Sequence, residues 1–376
     1  MNDQTAQSTS REERLAGLPL REDLRGQHPY GAPQLDVPIM LNVNENTYGV
    51  PQDVQEAITR SVREAVSSLN RYPDREFTEL REALAEYLGH GLMPEQLWAA
   101  NGSNEVLQQL LQAFGGPGRS ALGFPPTYSM YPLLAAGTGT AYLKGVRDAD
   151  YELTADSAAR QVRELAPNVV FLCSPNNPTG TALGLDVVEA VYEASEASQA
   201  IVIVDEAYAE FAQLGTQSAL TLLPGRPRLV VSRTMSKAFA LAGARLGYLA
   251  AAPEVTDALR LVRLPYHLSA ITQATALAAL RHRASLMSEV EAIKHQRDRI
   301  VKELERLGLR PASSDSNFVF FTGLADPQRI WRGLLEAGVL VRDVGIPGSL
   351  RVTAGTESET SAFLSRLEEL LEEEQA

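Results

Sequence analysis

Lysine is scarce in this chain: 34 residues are lysine or arginine, and only Lys144, Lys237, Lys294 and Lys302 are lysine. Lys294 and Lys302 lie eight apart in a charged stretch with helical patterning, and a solvated helix face accounts for them. Lys144 sits in a predicted loop before Gly145. Lys237 keeps different company. It follows Ser232-Arg233-Thr234-Met235-Ser236, just after an apolar run, and Arg245 comes eight residues later. A loop lysine by itself is ordinarily a solvated one. A primary amine crowded by hydroxyls and guanidinium groups is the setting of a lysine that does chemistry. Three further groups stand beside it. Asp205 ends the run Ile201-Val202-Ile203-Val204, with Tyr208 three residues on. A carboxylate at the end of a buried parallel strand points into the crevice where α/β sheets bind ligands, although a helix N-cap would also favour aspartate. Ser174-Pro175-Asn176-Asn177-Pro178-Thr179-Gly180 follows another apolar run and, taken alone, is turn chemistry. Asn101-Gly102-Ser103-Asn104 opens a helix. Its free N–H groups suit a phosphate, and simple capping is the alternative.

The elements that must hold these groups alternate in type. Amphipathic helices are predicted over Pro51–Leu69 and Glu76–Leu88, and a third from Ser103 to Phe114, stopped by Gly115-Gly116-Pro117. Strands are predicted at Ser120–Leu122, Val169–Cys173, Ala200–Val204, Leu229–Ser232 and Leu246–Ala250, with helices near 155–165 and 185–197 between some of them. Such alternation implies a mostly parallel sheet covered on both faces. Beyond about Pro265 helices dominate. One long helix covers Ser285–Leu307. Then come a strand near 317–321, a helix near 327–337, strands near 339–342 and 349–353, and an acidic helix from about 357. This reads as a second, α+β domain, with the N-terminal segment packed beside it.

Composition narrows the function. The chain has 376 residues, 44% hydrophobic and 22% charged, with a formal net charge of -13. That balance argues against a general nucleic-acid or anionic-membrane surface, both of which want a basic face. It leaves room for small anionic substrates held by a few local arginines. No apolar run reaches the ~20 residues of a membrane span, and Met1 to Arg14 is polar with no apolar core of a secretion signal. The one cysteine, Cys173, excludes an intrachain disulfide, fits a reducing cytoplasm and reads as a buried strand thiol. His28, His90, His267, His282 and His295 form no metal-ligand spacing, so no metal is expected.

In this order and spacing the blocks resemble the fold-type I pyridoxal-phosphate-dependent aminotransferases, over about residues 15–370. SRTMSKAFALAGARLGY at 232–248 is the most specific, and SPNNPTG at 174–180 and IVDEAY at 203–208 support it. The resemblance implies an α/β fold: a large domain with a mostly parallel sheet of the seven-stranded type covered by helices, plus a smaller α+β domain. The expected division is a flexible tail at 1–14, an arm at 15–45, the large cofactor-binding domain at 46–265 and the small domain at 266–376. It implies that Lys237 carries pyridoxal 5'-phosphate as a Schiff base and later moves the substrate proton. Asp205 would pair with the ring nitrogen, Asn177 and Tyr208 with the ring oxygen, and Tyr128 would stack on the ring. Ser103, Asn104, Thr234, Ser236 and Arg245 would hold the phosphate. Tyr72 would reach the cofactor of a partner subunit, which implies a homodimer with shared sites.

Further segments are similar to the histidinol-phosphate aminotransferase family as found in actinobacteria: PLREDLRGQHPYGAP at 19–33, LNVNENTYG at 41–49, RYPD at 71–74, VRLPYHLS at 262–269 and VRDVGIPGSLRVT at 341–353. That family moves an amino group between histidinol phosphate and 2-oxoglutarate, with glutamate as the other product, in histidine biosynthesis. One anion site must then accept a phosphate and a carboxylate. Arg351 fits the anion-binding position, since a guanidinium forks onto either group, and Arg342 fits a second one. Tyr30 and Tyr266 would close over the substrate, Asn46 would line it, and Asn104 would face the imidazole. Thr47 and Ala244 depart from the family pattern without touching these roles. An aromatic-amino-acid aminotransferase and a threonine-phosphate type decarboxylase share the constellation. The cofactor-binding part of a transcription regulator would need a DNA-binding domain ahead of it, and only a short polar segment stands there.

Overall fold

The computed structural model describes residues 15, 17–26, 31 and 35–375. The expected flexible tail therefore lies outside the described residues, as does Tyr30. In chain order the main elements begin with β1 (Ile39–Met40), α1 (Gln52–Val66), α2 (Thr78–Leu88), β2 (Leu97–Ala100), α3 (Ser103–Phe114) and β3 (Ser120–Gly123). Next come α4 (Met130–Thr138), β4 (Ala141–Lys144), α5 (Ala155–Leu165), β5 (Val169–Cys173), α6 (Leu185–Ala194), β6 (Ile201–Asp205), β7 (Leu229–Thr234) and β8 (Gly247–Ala251). The chain continues through α7 (Pro253–Val262), α8 (Ala270–Arg281), α9 (Arg283–Arg306), β9 (Arg310–Pro311), β10 (Phe318–Thr322), α10 (Pro327–Glu336), β11 (Val339–Leu340), β12 (Ser349–Thr353) and α11 (Glu357–Gln375).

A seven-stranded sheet runs in the order β2-β8-β7-β6-β5-β3-β4. Only β8 opposes its neighbours; the other six strands are mutually parallel. Every residue of β5 and β6 is buried. This is why both read as unbroken Val/Ile-rich runs: a strand covered on both faces has no polar side to alternate with. The pairing registers Cys173 with Asp205 and Asp205 with Ser232. The turns after β5, β6 and β7 therefore open at one end of the sheet, where parallel sheets gather ligand-binding loops.

Strands β1, β2, β4 and β9 and helices α4, α7 and α8 have no counterpart among the predicted elements. β2 is Leu-Trp-Ala-Ala, and β4 lies at the sheet edge with both end residues exposed. Neither shows the β-branched run or the two-residue alternation that marks a strand. The α4 stretch, Met-Tyr-Pro-Leu-Leu-Ala-Ala-Gly-Thr, is apolar around most of its circumference, so no helical period stands out. α7 and α8 fall where the patterning changes near Pro265.

The C-terminal segment forms an antiparallel sheet, β12-β10-β9, and a parallel pair of β1 with β11. The N-terminal strand thus pairs with the C-terminal part of the chain. Leu41 N–H donates to the Leu340 carbonyl at 2.8 Å, and Thr353 N–H to the Leu41 carbonyl at 2.9 Å. These bonds fix the path of residues 42–45, which then run past the open end of the large sheet. Arg297 of α9 is fully buried and ties the parts together, donating to the carbonyls of Phe211 and Ser316 at 2.6 and 3.2 Å. Among the described residues no helix is long and apolar enough to cross a membrane.

Candidate active site

A cavity of about 380 Å³ lies at the open end of the large sheet. Its wall carries Ser103, Asn104, Tyr128, Asn177, Asp205, Tyr208, Thr234, Ser236, Lys237, Arg245 and Arg351 together. Residues more than 240 positions apart thus converge on one space. Asn46, Tyr72, Tyr266 and Arg342 do not line it.

Asp205 is the last residue of β6 and is buried. Its Oδ2 accepts from the Tyr131 hydroxyl at 2.9 Å, while Oδ1 has no partner among the described residues. Burial pushes its carboxyl up to about 6, and the Tyr131 bond opposes that rise. A buried carboxylate oxygen without a donor is costly, so this one is built to receive a donor from within the cavity. Tyr131 is itself locked, stacked on Phe171 with centroids 4.5 Å apart.

Lys237 follows β7 in a loop closed by Met235 N–H to the Leu246 carbonyl at 3.0 Å and Leu241 N–H to the Met235 carbonyl at 3.2 Å. Its Nζ donates to the Val43 carbonyl at 3.1 Å. Burial pulls the amine down to about 8; the Arg351 and Arg245 cations add to that, and the Glu45 carboxylate opposes it. Such an amine is partly neutral near physiological pH, which a nucleophile or a base requires.

The N-terminus of α3 faces the cavity through Ser103 and Asn104, so its first-turn N–H groups are available to an anion. Two glycines permit this placement. A Cβ at Gly247 would lie 2.1 Å from the Ser103 backbone nitrogen, and one at Gly102 would lie 2.5 Å from an Arg245 guanidinium nitrogen. Gly102 also holds a positive φ of 86°. Beside the helix end, the Thr234 hydroxyl accepts from the Ser236 N–H at 3.1 Å. Together these groups form a cup of N–H groups, hydroxyls and one guanidinium.

The opposite wall is polar as well. Tyr208 Oη accepts from Asn44 Nδ2 at 3.0 Å and from Asn177 Nδ2 at 3.4 Å. Arg351 donates to Asn177 Oδ1 at 2.6 Å and to the Asn42 carbonyl at 2.7 Å. Its guanidinium also lies 5.0 Å over the Phe318 ring, so packing as well as hydrogen bonds fixes it. The Tyr128 hydroxyl donates to Asn104 Oδ1 at 3.2 Å. Behind the cavity Arg233 pairs with Glu206 at 2.8 Å and Glu210 at 3.6 Å. Tyr87 donates to Glu210 at 3.0 Å, and Ser218 donates to Glu206. This buried network braces the ends of β6 and β7, which carry Asp205 and Thr234.

The remaining expected residues lie elsewhere. Arg342 lines a neighbouring cavity and forms a backbone bridge with Arg351. The neighbouring Asp343 is bonded to Gln328 and to the Gly345 N–H. Asn46 accepts from the Tyr48 N–H at 2.9 Å. Tyr72, 79% exposed, stacks on Tyr266 with centroids 4.3 Å apart. Cys173 lines the cavity floor, and burial raises its thiol to about 12, so it remains a neutral thiol. Sequence reasoning missed Tyr131, the Val43 carbonyl and Asn44. Tyr131 lies in the apolar α4 stretch, where a tyrosine reads as core.

Residues 37–367 match the aminotransferase class I and II family. A histidinol-phosphate aminotransferase of Paenarthrobacter aurescens is 78% identical over 360 residues, covering 96% of this chain and 97% of the relative. One of Frankia casuarinae is 59% identical over 356 residues, covering 93% and 90%. In structure the chain is similar to the histidinol-phosphate aminotransferase of Sinorhizobium meliloti in complex with pyridoxal-5'-phosphate, at 24% identity and a TM-score of 0.80, covering 90% of this chain and 92% of that one. That last likeness shows the fold. The chain belongs to the histidinol-phosphate aminotransferase family, within the class I and II aminotransferases.

Proposed function

We propose that this chain is a cytoplasmic, homodimeric transaminase that uses pyridoxal 5'-phosphate to move the amino group of L-histidinol phosphate to 2-oxoglutarate, in histidine biosynthesis. One observation carries the reading: a single cavity brings together the depressed amine of Lys237, the partnerless oxygen of Asp205 and the anchored guanidinium of Arg351. The residues fit the cofactor. Asp205 Oδ1 is a buried acceptor in want of a cationic N–H, which a protonated pyridine ring offers. The cup formed by Ser103, Asn104, Thr234, Ser236 and Arg245 matches a phosphate monoester. Asn177 and Tyr208 suit the ring oxygen, and Tyr128 suits the ring face. When bound, the cofactor supplies an electron sink for the pair left on the substrate carbon after its proton departs.

The chain's own groups do the remaining work. Lys237, held down to about 8 by burial, would move the proton from the substrate carbon to the C4′ carbon of the bound cofactor, and back in the reverse half-reaction. Asp205 keeps its negative charge beside the ring nitrogen, where a cationic partner offsets the burial that raises its carboxyl. Arg351 receives the substrate's anionic end, phosphate in one half-reaction and carboxylate in the other. Arg342 contributes from the adjoining cavity. Tyr72 would serve the partner subunit's site, with Tyr266 stacked on it. Asn104, on the cavity wall, would face the imidazole.

The test compares amino donors. Purified holoenzyme is given 2-oxoglutarate with histidinol phosphate, phenylalanine or aspartate, and the highest kcat/KM is expected for histidinol phosphate. A preference for phenylalanine would make it an aromatic-amino-acid transaminase, and no transfer from any donor would end the proposal.

A further inference from the structure

Lys144 is one of four lysines in a chain of net charge -13, and the site described above makes no use of it. It is the last residue of β4, at the edge of the large sheet. There it lines a second cavity of about 390 Å³ together with Arg342, Arg351, Asn177 and Tyr128. Arg351, Asn177 and Tyr128 also line the first cavity, so the two spaces share a wall. Lys144, Arg342 and Arg351 place three cations around this second space, against the one carboxylate of Asp343, which is already held by Gln328 and Gly345. Tyr142 lines the same cavity, and its hydroxyl is buried against Gly123 without a partner among the described residues. Gly123 leaves room for it, since a Cβ there would sit 2.2 Å from Tyr142 Oη.

From this juxtaposition we infer that Lys144 is a specificity-determining residue, the cation that tunes the shared anion wall to a dianionic phosphate ester rather than a monoanionic carboxylate. The inference rests on the function proposed above. A carboxylate brings one negative charge, which a single forked guanidinium matches. A phosphate monoester brings about -1.5 to -2 near pH 7, its second pKa lying near 6. Arg351 alone leaves part of that charge uncompensated, and Arg342 and Lys144 are the two cations that the second cavity adds. An ammonium on a flexible stem at the cavity mouth supplies a point charge without demanding fixed geometry, and it attracts the dianion more than the monoanion.

The test is the ratio of kcat/KM for histidinol phosphate to kcat/KM for phenylalanine, in wild-type holoenzyme, Lys144→Gln and Lys144→Arg. The ratio should fall about tenfold in Lys144→Gln, mostly through KM for the phosphate donor, and recover in Lys144→Arg. Added salt should lower the ratio in wild type and lower it less steeply in Lys144→Gln, where two of the three cations remain. An unchanged ratio in Lys144→Gln, or an equal loss for both donors, would overturn the inference while leaving the proposed function standing. Wild-type enzyme that ignores histidinol phosphate would instead sink the function itself.

Discussion

Between about pH 8 and 10.5 an unfolded chain holds a proton on Lys237 that the folded, cofactor-free chain has released. Stability rises with pH wherever the unfolded state binds more protons. Lys237 therefore opposes folding most below about pH 8, and that penalty is relieved as pH climbs toward 10.5. Melting temperatures of cofactor-free wild type and Lys237→Met across this range provide the check. The variant should be the more stable near pH 7, and its advantage should shrink as pH rises. A pH-independent difference would mean that the amine is not desolvated in the cavity. Several residues of this site are legible in the chain alone because their chemistry is unusual for their position: a lysine among hydroxyls, an aspartate ending an apolar run. Tyr131 and the Val43 carbonyl are not. A tyrosine in an apolar stretch reads as core, and a backbone carbonyl carries no side-chain signature at all.

At the scale of elements, the proposed phosphate cup depends on how closely α3 approaches β8. Gly247 faces the Ser103 backbone with no room for a methyl group, its Cβ falling at 2.1 Å. Backbone cannot swing aside as a long side chain does, so Gly247→Ala must push the helix end away from the strand. We expect cofactor affinity to fall about tenfold or more, because N–H groups and helix dipole act over a short range. Overpacking should also cost about 1–3 kcal/mol of stability. Titration of cofactor-free Gly247→Ala with pyridoxal 5'-phosphate measures the first effect and a denaturant melt the second. Wild-type affinity would show that the helix end does not hold the phosphate. The same contact explains what patterning reveals and hides. α3 and β5–β7 announce themselves through capping and apolar runs. β2, which flanks the helix start, is four residues with two alanines, and its place at the sheet edge is fixed by pairing with β8.

On the whole molecule, the two segments that the Tyr72–Tyr266 stack brings together expose large apolar side chains. Tyr72 is 79% exposed, Leu69 52%, Leu261 86% and Leu264 75%, with Tyr266 stacked on Tyr72. A solvated patch of this kind calls for a partner, and the homodimer proposed above would cover it and carry Tyr72 to the neighbouring site. Mixed chains test this. Tyr72→Ala and Lys237→Ala subunits each lack activity alone, yet a heterodimer with Tyr72 acting in trans has one site free of both lesions. Statistical mixing should restore about a quarter of wild-type activity, and action in cis should restore none. Long-range pairing such as β1 with β11 cannot be read from local patterning. All of this structure converges on one amine. Borohydride reduction of the holoenzyme followed by peptide mapping should find the cofactor fixed covalently to Lys237, and a label on Lys144, Lys294 or Lys302, or on no lysine, would contradict the assignment.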